Sequence, residues 1–288
     1  MPQAKIGVIG GSGLYEIEGL RHVEEVDIKT PFGPTSDSIV VGEWEGAGLA
    51  FLPRHGKGHR IPPSDIPYRA NIFALKTLGV ENIIAVNSVG SFKDEIKPGH
   101  LLIPDQVIDR TAGRASSFFR EDIVAHIPFA QPFCAMLSRA VYQAARDAGA
   151  TVHRGGTYIA MEGPAFSTRA ESRLYKSWGA DVIGMTALPE ARLAREAEMC
   201  YAVVACVTDY DSWQEKAEPL TVELILATMR GNIEIAKQII CLSVTRMPDT
   251  RACQCAGALK DALVTPLHLV PPETRAKLGP IIGKYLKE

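Results

Sequence analysis

Residues 201–207, "YAVVACV", run for seven residues without a charge. Val203, Val204 and Val207 are β-branched and favour extended backbone, and a short apolar run with no polar alternation reads as a strand covered on both faces. Such strands belong to sheets sandwiched between helices, which confines the chain to an α/β architecture. The run leads straight into "TDYDSW", so Asp209 and Asp211 stand where the strand ends. Residues two apart in extended backbone project to the same side, and open α/β sheets hold ligands just beyond the carboxyl ends of their strands. Asp is equally at home as a solvated residue where a chain leaves a strand, and at this point both readings stand.

The rest of the chain alternates in the same way. "KIGVIGGSGL" reads as a strand ending in glycines, and "SIVVGEWEGAGLAFLPRHG" as two strands joined by a turn containing Gly46. "SDIPYRANIFALKTLG" predicts a helix capped by Ser64 or Asp65 and stopped at Gly79, followed by the strand "NIIAVNSVGS". "FCAMLSRAVYQAARDAG" places Met136, Leu137, Val141 and Ala144 on one helix face and stops at Gly149. Strand "TYIAMEG", helix "TRAESRLYKSWG", strand "ADVIGM" and helix "PEARLAREAEM" lead to the run at 201, and a long helix is expected from about Thr221 to Ser243. The pattern predicts one α/β domain over residues 1–288, a central mixed sheet flanked by helices. It breaks after about Met247, so 247–288 is expected as a divergent C-terminal appendage with two short helices.

Composition narrows the partners. With 22% charged residues, a net charge of -2 and a pI near 6.4, the chain lacks the basic excess that nucleic acids and membrane surfaces demand, and small-molecule substrates are expected. The N-terminal apolar run is too short for a signal peptide and no stretch is long enough to span a bilayer, so a cytoplasmic location is expected. Six cysteines are too few for a disulfide scaffold at this length. "CQC" at Cys253 and Cys255 leaves a redox-active or disulfide-forming pair open. No second Cys or His cluster stands at zinc-ligand spacing around it, and no metal is expected.

Four strand ends carry groups suited to an anion. In "IGGSGL", backbone N–H groups and the Ser12 hydroxyl can hold a phosphate, although a glycine turn made only for tight packing explains the same residues. A dinucleotide fingerprint fits loosely, because Glu16 stands where the third glycine belongs. "PRHGKGHR" adds Arg54, with its fork of donors, and His55, a second donor and possible cation. "NSVGS" contributes Asn87 and Ser88, and "GMTALPE" contributes Met185 and Thr186. The long irregular stretches from Arg54 and from Asp109 are the kind that carry sites.

"IGVIGGSGLY", "RHGKGH", "NIFALKTLG", "HIPFAQPFC", "EGPAFSTRAES", "WGADVIGMT" and "TDYDSW" together resemble, in order and approximate spacing, the trimeric nucleoside phosphorylases over residues 5 to about 245. The resemblance implies an enzyme that cleaves a nucleoside with inorganic phosphate as co-substrate, without metal or organic cofactor, assembled as a homotrimer or dimer of trimers. It puts phosphate at Ser12, Arg54, His55, Ser88 and Thr186. Asn87 departs from the family's usual small hydroxyl residue but can still donate through its amide. The resemblance lays Met185 against the ribose and Phe166 on the purine. Ser167 stands where relatives acting on 6-oxopurines carry a glutamate, which points to aminopurines. Val222, Ile225 and Leu226 form an apolar face turned to the 5' substituent, and His126 reaches the same pocket from a neighbouring subunit. Asp209 is the expected acid at purine N7, with Asp211 as its partner. The expected reaction converts 5'-methylthioadenosine to adenine and 5-methylthioribose 1-phosphate. The alternatives are a 5'-methylthioinosine or general purine nucleoside phosphorylase, a hydrolase of the same nucleoside, and a non-catalytic nucleoside-binding protein.

Overall fold

The computed structural model describes residues 2–11, 14, 16–214, 222–248 and 250–286, and of residues 222–230 only the backbone. Ser12 therefore lies outside the described residues, as do the side chains of Val222, Ile225 and Leu226. The strands are β1 Ile6–Gly10, β2 Arg21–Val26, β3 Ile39–Trp44, β4 Ala47–Pro53, β5 Asn82–Ser91, β6 Leu101–Ile103, β7 Gln106–Arg110, β8 Val152–Arg154, β9 Thr157–Met161, β10 Val182–Gly184 and β11 Cys200–Tyr210. The helices are α1 Tyr68–Thr77, α2 Ala135–Asp147, α3 Arg169–Ser177, α4 Ala187–Glu196, α5 Val222–Val244, α6 Pro272–Lys277 and α7 Gly279–Ile282. The strands form one mixed sheet in the order β2-β3-β4-β1-β5-β10-β9-β7, and β11 joins β5 to β6 and β8.

The apolar run at 201 lies in the sheet's spine, where β11 runs parallel to β5 from Cys200 opposite Asn82 to Tyr210 opposite Ser91. Its side chains alternate between two apolar clusters. Val203, Ala205 and Val207 pack with residues of α1 and α4, whereas Ala202, Val204 and Cys206 pack with residues of α2 and α5. Coverage of both faces is the reason the run carries no polar alternation.

Local sequence misplaces the start of one helix. α1 begins at Tyr68, and neither Ser64 nor Asp65 caps it, since both lie in a separate 3-10 turn over Pro63–Asp65. Ile66 precedes Pro67 and takes extended angles, φ -57° and ψ 129°, because the proline ring disfavours helical backbone before it. The segment after Met247 packs onto the body of the domain. Leu259, Ala262, Val270, Leu278, Ile281 and Ile282 are buried in the same cluster as α1 and α4, and the His126 N–H donates to the Ala262 carbonyl at 2.8 Å. Among the described residues no helix is long and apolar enough to cross a membrane.

Candidate active site

The sheet opens along one side of β5. β1 pairs with β5 over Asn82–Ala85, and β10 pairs with it only at Gly90 and Ser91. Between them, residues 86–89 lack a strand neighbour on that side among the described residues. Ser88 is exposed although it sits in a central strand. Such a parting of neighbouring strands is where α/β sheets take their ligands, and the chain leaving β4 (Arg54), β10 (Met185, Thr186) and β11 (Asp209, Asp211) converges on it.

Arg54 sits at the centre of a hydrogen-bonded frame. Its side chain is buried and its donors are turned into the protein: Nε donates to Glu190 Oε1 at 2.5 Å, Nη1 to the Val86 carbonyl at 3.0 Å, and Nη2 to Glu190 Oε2 at 3.1 Å and to Asn87 Oδ1 at 3.3 Å. Its backbone N–H is taken by the Gly10 carbonyl at 2.9 Å. Burial opposes the charge, and the Glu190 carboxylate more than offsets this, so the guanidinium stays ionised. The guanidinium thus braces Glu190, Val86 and Asn87 against one another. Asn87 extends the frame, since its Nδ2 donates to Thr186 Oγ1 at 2.8 Å. Thr186 is held as an acceptor from behind, which leaves its hydroxyl hydrogen to point elsewhere.

For His55, where the sequence left a cation open, the surroundings favour the neutral ring. Nδ1 lies 2.8 Å from the Ile61 carbonyl, and because a carbonyl only accepts, that nitrogen carries the hydrogen. Burial, with the Arg54 charge second, pushes the imidazole down to about 4, so at neutral pH it is uncharged and Nε2 holds a lone pair. It is a hydrogen-bond acceptor suited to a protonated phosphate oxygen or a sugar hydroxyl.

Both aspartates meet at Gly90. The register of β11 on β5 shifts between Val207 and Asp209, leaving Thr208 as a bulge residue, and Asp209 then lies opposite Gly90. A Cβ on Gly90 would lie 3.1 Å from Asp209 Oδ2 and 3.3 Å from the Asp211 Cβ, so the missing side chain makes room for the pair. Burial pushes the Asp209 carboxyl up to about 6, helped by the charge of Asp211 and opposed by the Thr208 hydroxyl, which donates to Oδ1 at 2.6 Å. Burial raises Asp211 as well, and its Oδ2 is buried with no hydrogen-bond partner among the described residues.

The remaining expected residues differ in exposure and contacts. Phe166 is 55% exposed, an unusual state for a large aromatic and one that fits a stacking platform better than a core role. Ser167 is buried, its hydroxyl 3.6 Å from Met161 Sδ, and its carbonyl accepts from Ser212 Oγ at 3.1 Å, which ties the Phe166 loop to the aspartate turn. Met185 packs its thioether on the backbone of Gly163, at φ 71°, where a Cβ would lie 2.5 Å from the sulfur. His126 is exposed on the 111–134 stretch, and its backbone joins the C-terminal segment.

Two framing residues carried no local signal. Glu190 accepts from Arg54 and, at 2.8 Å, from the Tyr201 hydroxyl. Arg114 donates through Nη1 to the Met185 carbonyl at 2.6 Å and the Leu188 carbonyl at 2.8 Å, and through Nη2 to the Glu162 carbonyl at 2.5 Å, stitching the end of β10 to the Phe166 loop.

This geometry has known counterparts. The model of the phosphorylase superfamily matches residues 5–245. The S-methyl-5'-thioadenosine phosphorylase of Geobacter sulfurreducens is 56% identical over 98% of this chain and 99% of its own. Among solved structures, a methylthioadenosine phosphorylase from an antarctic soil metagenomic library superposes with a TM-score of 0.94 at 43% identity, covering 98% of this chain and 99% of that one. The methylthioadenosine phosphorylase of Schistosoma mansoni in complex with adenine superposes with a TM-score of 0.82 at 36% identity, covering 90% of this chain and 96% of that one. A family match over most of the length, relatives sharing half their residues and a common sheet lead to one conclusion: the chain belongs to the phosphorylase superfamily.

Proposed function

We propose that the protein cleaves 5'-methylthioadenosine with inorganic phosphate to adenine and 5-methylthioribose 1-phosphate. The observation that carries this reading is the carboxyl pair at the end of β11, Asp211 buried and Asp209 half-buried, with Asp209 pushed up to about 6 beside a wall of small polar groups on the parted edge of β5. Similarity to methylthioadenosine phosphorylases supports the substrate.

In this reading phosphate lies between Ser12, His55, Ser88 and the Thr186 hydroxyl. Donors fixed in advance orient the anion toward the anomeric carbon and stabilise the oxocarbenium-like transition state without reorganising. Arg54 and Asn87 hold that wall in place. The purine stacks on Phe166, Met185 meets the ribose, and Val222, Ile225 and Leu226 take the 5' methylthio group. Asp209 protonates N7 as the glycosidic bond breaks, and ionised Asp211 accepts from the exocyclic amino group. No metal or organic cofactor enters the chemistry. We further infer a cytoplasmic homotrimer, alone or paired as two trimers, working in purine and methionine salvage, with His126 entering the neighbouring subunit's pocket.

The test is product analysis on methylthioadenosine, adenosine and inosine, with and without phosphate. Adenine released from methylthioadenosine only when phosphate is present is the expected result. Release indifferent to phosphate identifies a hydrolase, preference for inosine a 6-oxopurine enzyme, and no release a binding protein.

A further inference from the structure

We propose that Cys134, Cys200, Cys253 and Cys255 bind one zinc ion as a closed four-thiolate site that fastens the C-terminal segment to the sheet. The four Sγ atoms all lie within 4.8 Å of one another, with Cys200 and Cys253 at 3.3 Å. Zinc–sulfur bonds of about 2.3 Å in a tetrahedron set sulfur–sulfur edges at roughly 3.8 Å, so one ion satisfies all four with small side-chain shifts. A four-iron cluster would spread its cysteine sulfurs further apart. The sulfurs form one group of four, and all are free cysteines, so none is bonded to another.

The delivery of these sulfurs is the second observation. Cys134 is the residue before α2, Cys200 opens β11, and Cys253 and Cys255 flank the start of the 3-10 turn at Gln254–Gly257. Separate backbone segments thus bring one thiol or two each to a single point, and Cys134, Cys200 and Cys255 are buried there. The expectation of no metal rested on local spacing, which the fold overrides by supplying Cys134 and Cys200 from afar.

Binding of the dication displaces four thiol protons and leaves a site of net charge -2. The N-terminal end of α2, a helix of 13 residues, lies beside Cys134 and favours thiolate there. With four protein ligands there is no open position, and nine residue steps of β11, ~30 Å of extended strand, separate Cys200 from Asp209, so the ion is structural. It reinforces contacts that already converge on the turn before β11: Arg251 Nη1 donates to the Glu198 carbonyl at 2.8 Å, and Glu198 Oε1 accepts from the Leu259 N–H at 3.1 Å and the Tyr285 hydroxyl at 2.6 Å.

The experiment uses the full chain, produced with zinc in the medium and purified under reducing conditions without a metal-binding tag. We expect one zinc per chain by elemental analysis, and on exchange with cobalt(II) the thiolate charge-transfer and tetrahedral d–d bands. Cys255→Ser should hold zinc at least tenfold more weakly and melt earlier, whereas Cys206→Ala, at a buried thiol outside the group, should keep the full complement. If Cys255→Ser does not fold, alkylation of the wild-type chain decides: the four thiols should be protected until a chelator is added. A zinc-free wild-type chain whose four thiols alkylate freely overturns the proposal. So does a disulfide among them in cells alkylated at lysis.

Discussion

Arg54 and Glu190 face each other as a two-point ion pair, Nε to Oε1 at 2.5 Å and Nη2 to Oε2 at 3.1 Å, with side-chain exposures of 3% and 1%. Removing one member of a buried pair leaves the other uncompensated and costs about 3–5 kcal/mol, so Glu190→Gln and Arg54→Lys should both lower the urea midpoint clearly. Both should also raise the KM for phosphate, because Asn87 and Thr186 lose their anchor. A rise in Arg54→Lys without one in Glu190→Gln would mean that Arg54 grips phosphate itself.

Asp209→Asn tests the acid. An amide cannot protonate N7, so turnover on methylthioadenosine should fall by about 10² to 10⁴. The amide can donate to a 6-oxo group, so activity on the inosine analogue should rise relative to methylthioadenosine, and Asp209→Ala should be poor on both. Wild-type turnover by Asp209→Asn at neutral pH would remove Asp209 from the chemistry.

What the sequence revealed and what it hid follow from range. β5 and β11 were readable because burial on both faces leaves an uninterrupted apolar run, and α2 because its inward face repeats at helical spacing. β2, "RHVEEV", is a largely exposed strand with charges on half its positions, and β6 and β8 have three residues each, so none carries a pattern. The same rule governs the site. Asp209 and Asp211 announced themselves at a strand end, whereas the inward turn of Arg54 depends on Glu190, 136 residues away. Cys134, Cys200 and the "CQC" pair likewise meet only in the folded chain.

Phe166→Ala should separate binding from folding. A core phenylalanine would cost about 3–5 kcal/mol on truncation, but a ring 55% exposed leaves little packing to lose, and the melting temperature should hardly move. Loss of a ring stack worth about 1 kcal/mol should raise the KM for the nucleoside roughly fivefold. The KM for phosphate should stay put. A large loss of stability with unchanged nucleoside KM would return Phe166 to the core.

The raised carboxyl of Asp209 makes stability depend on pH in a definite direction. Unfolded, the group titrates near 3.8; folded, burial moves it to about 6, so between these values the native state keeps a proton that the unfolded chain has released. Stability therefore falls as pH rises through this window, and the cost is complete above about pH 6 and absent below about pH 4. A shift of about two units corresponds to about 3 kcal/mol at most, less where solvent reaches the carboxyl. Asp209→Asn cannot titrate, so its stability relative to wild type should be about 2–3 kcal/mol more favourable at pH 8 than at pH 4. Urea unfolding of both proteins at the two pH values measures this. At saturating phosphate the wild-type kcat/KM for the nucleoside should decline above about pH 6, as the free enzyme loses the proton that the leaving purine needs. A stability difference between the two proteins that does not change with pH would show that the Asp209 carboxyl titrates alike in the folded and unfolded chain, and its raised proton affinity would be refuted.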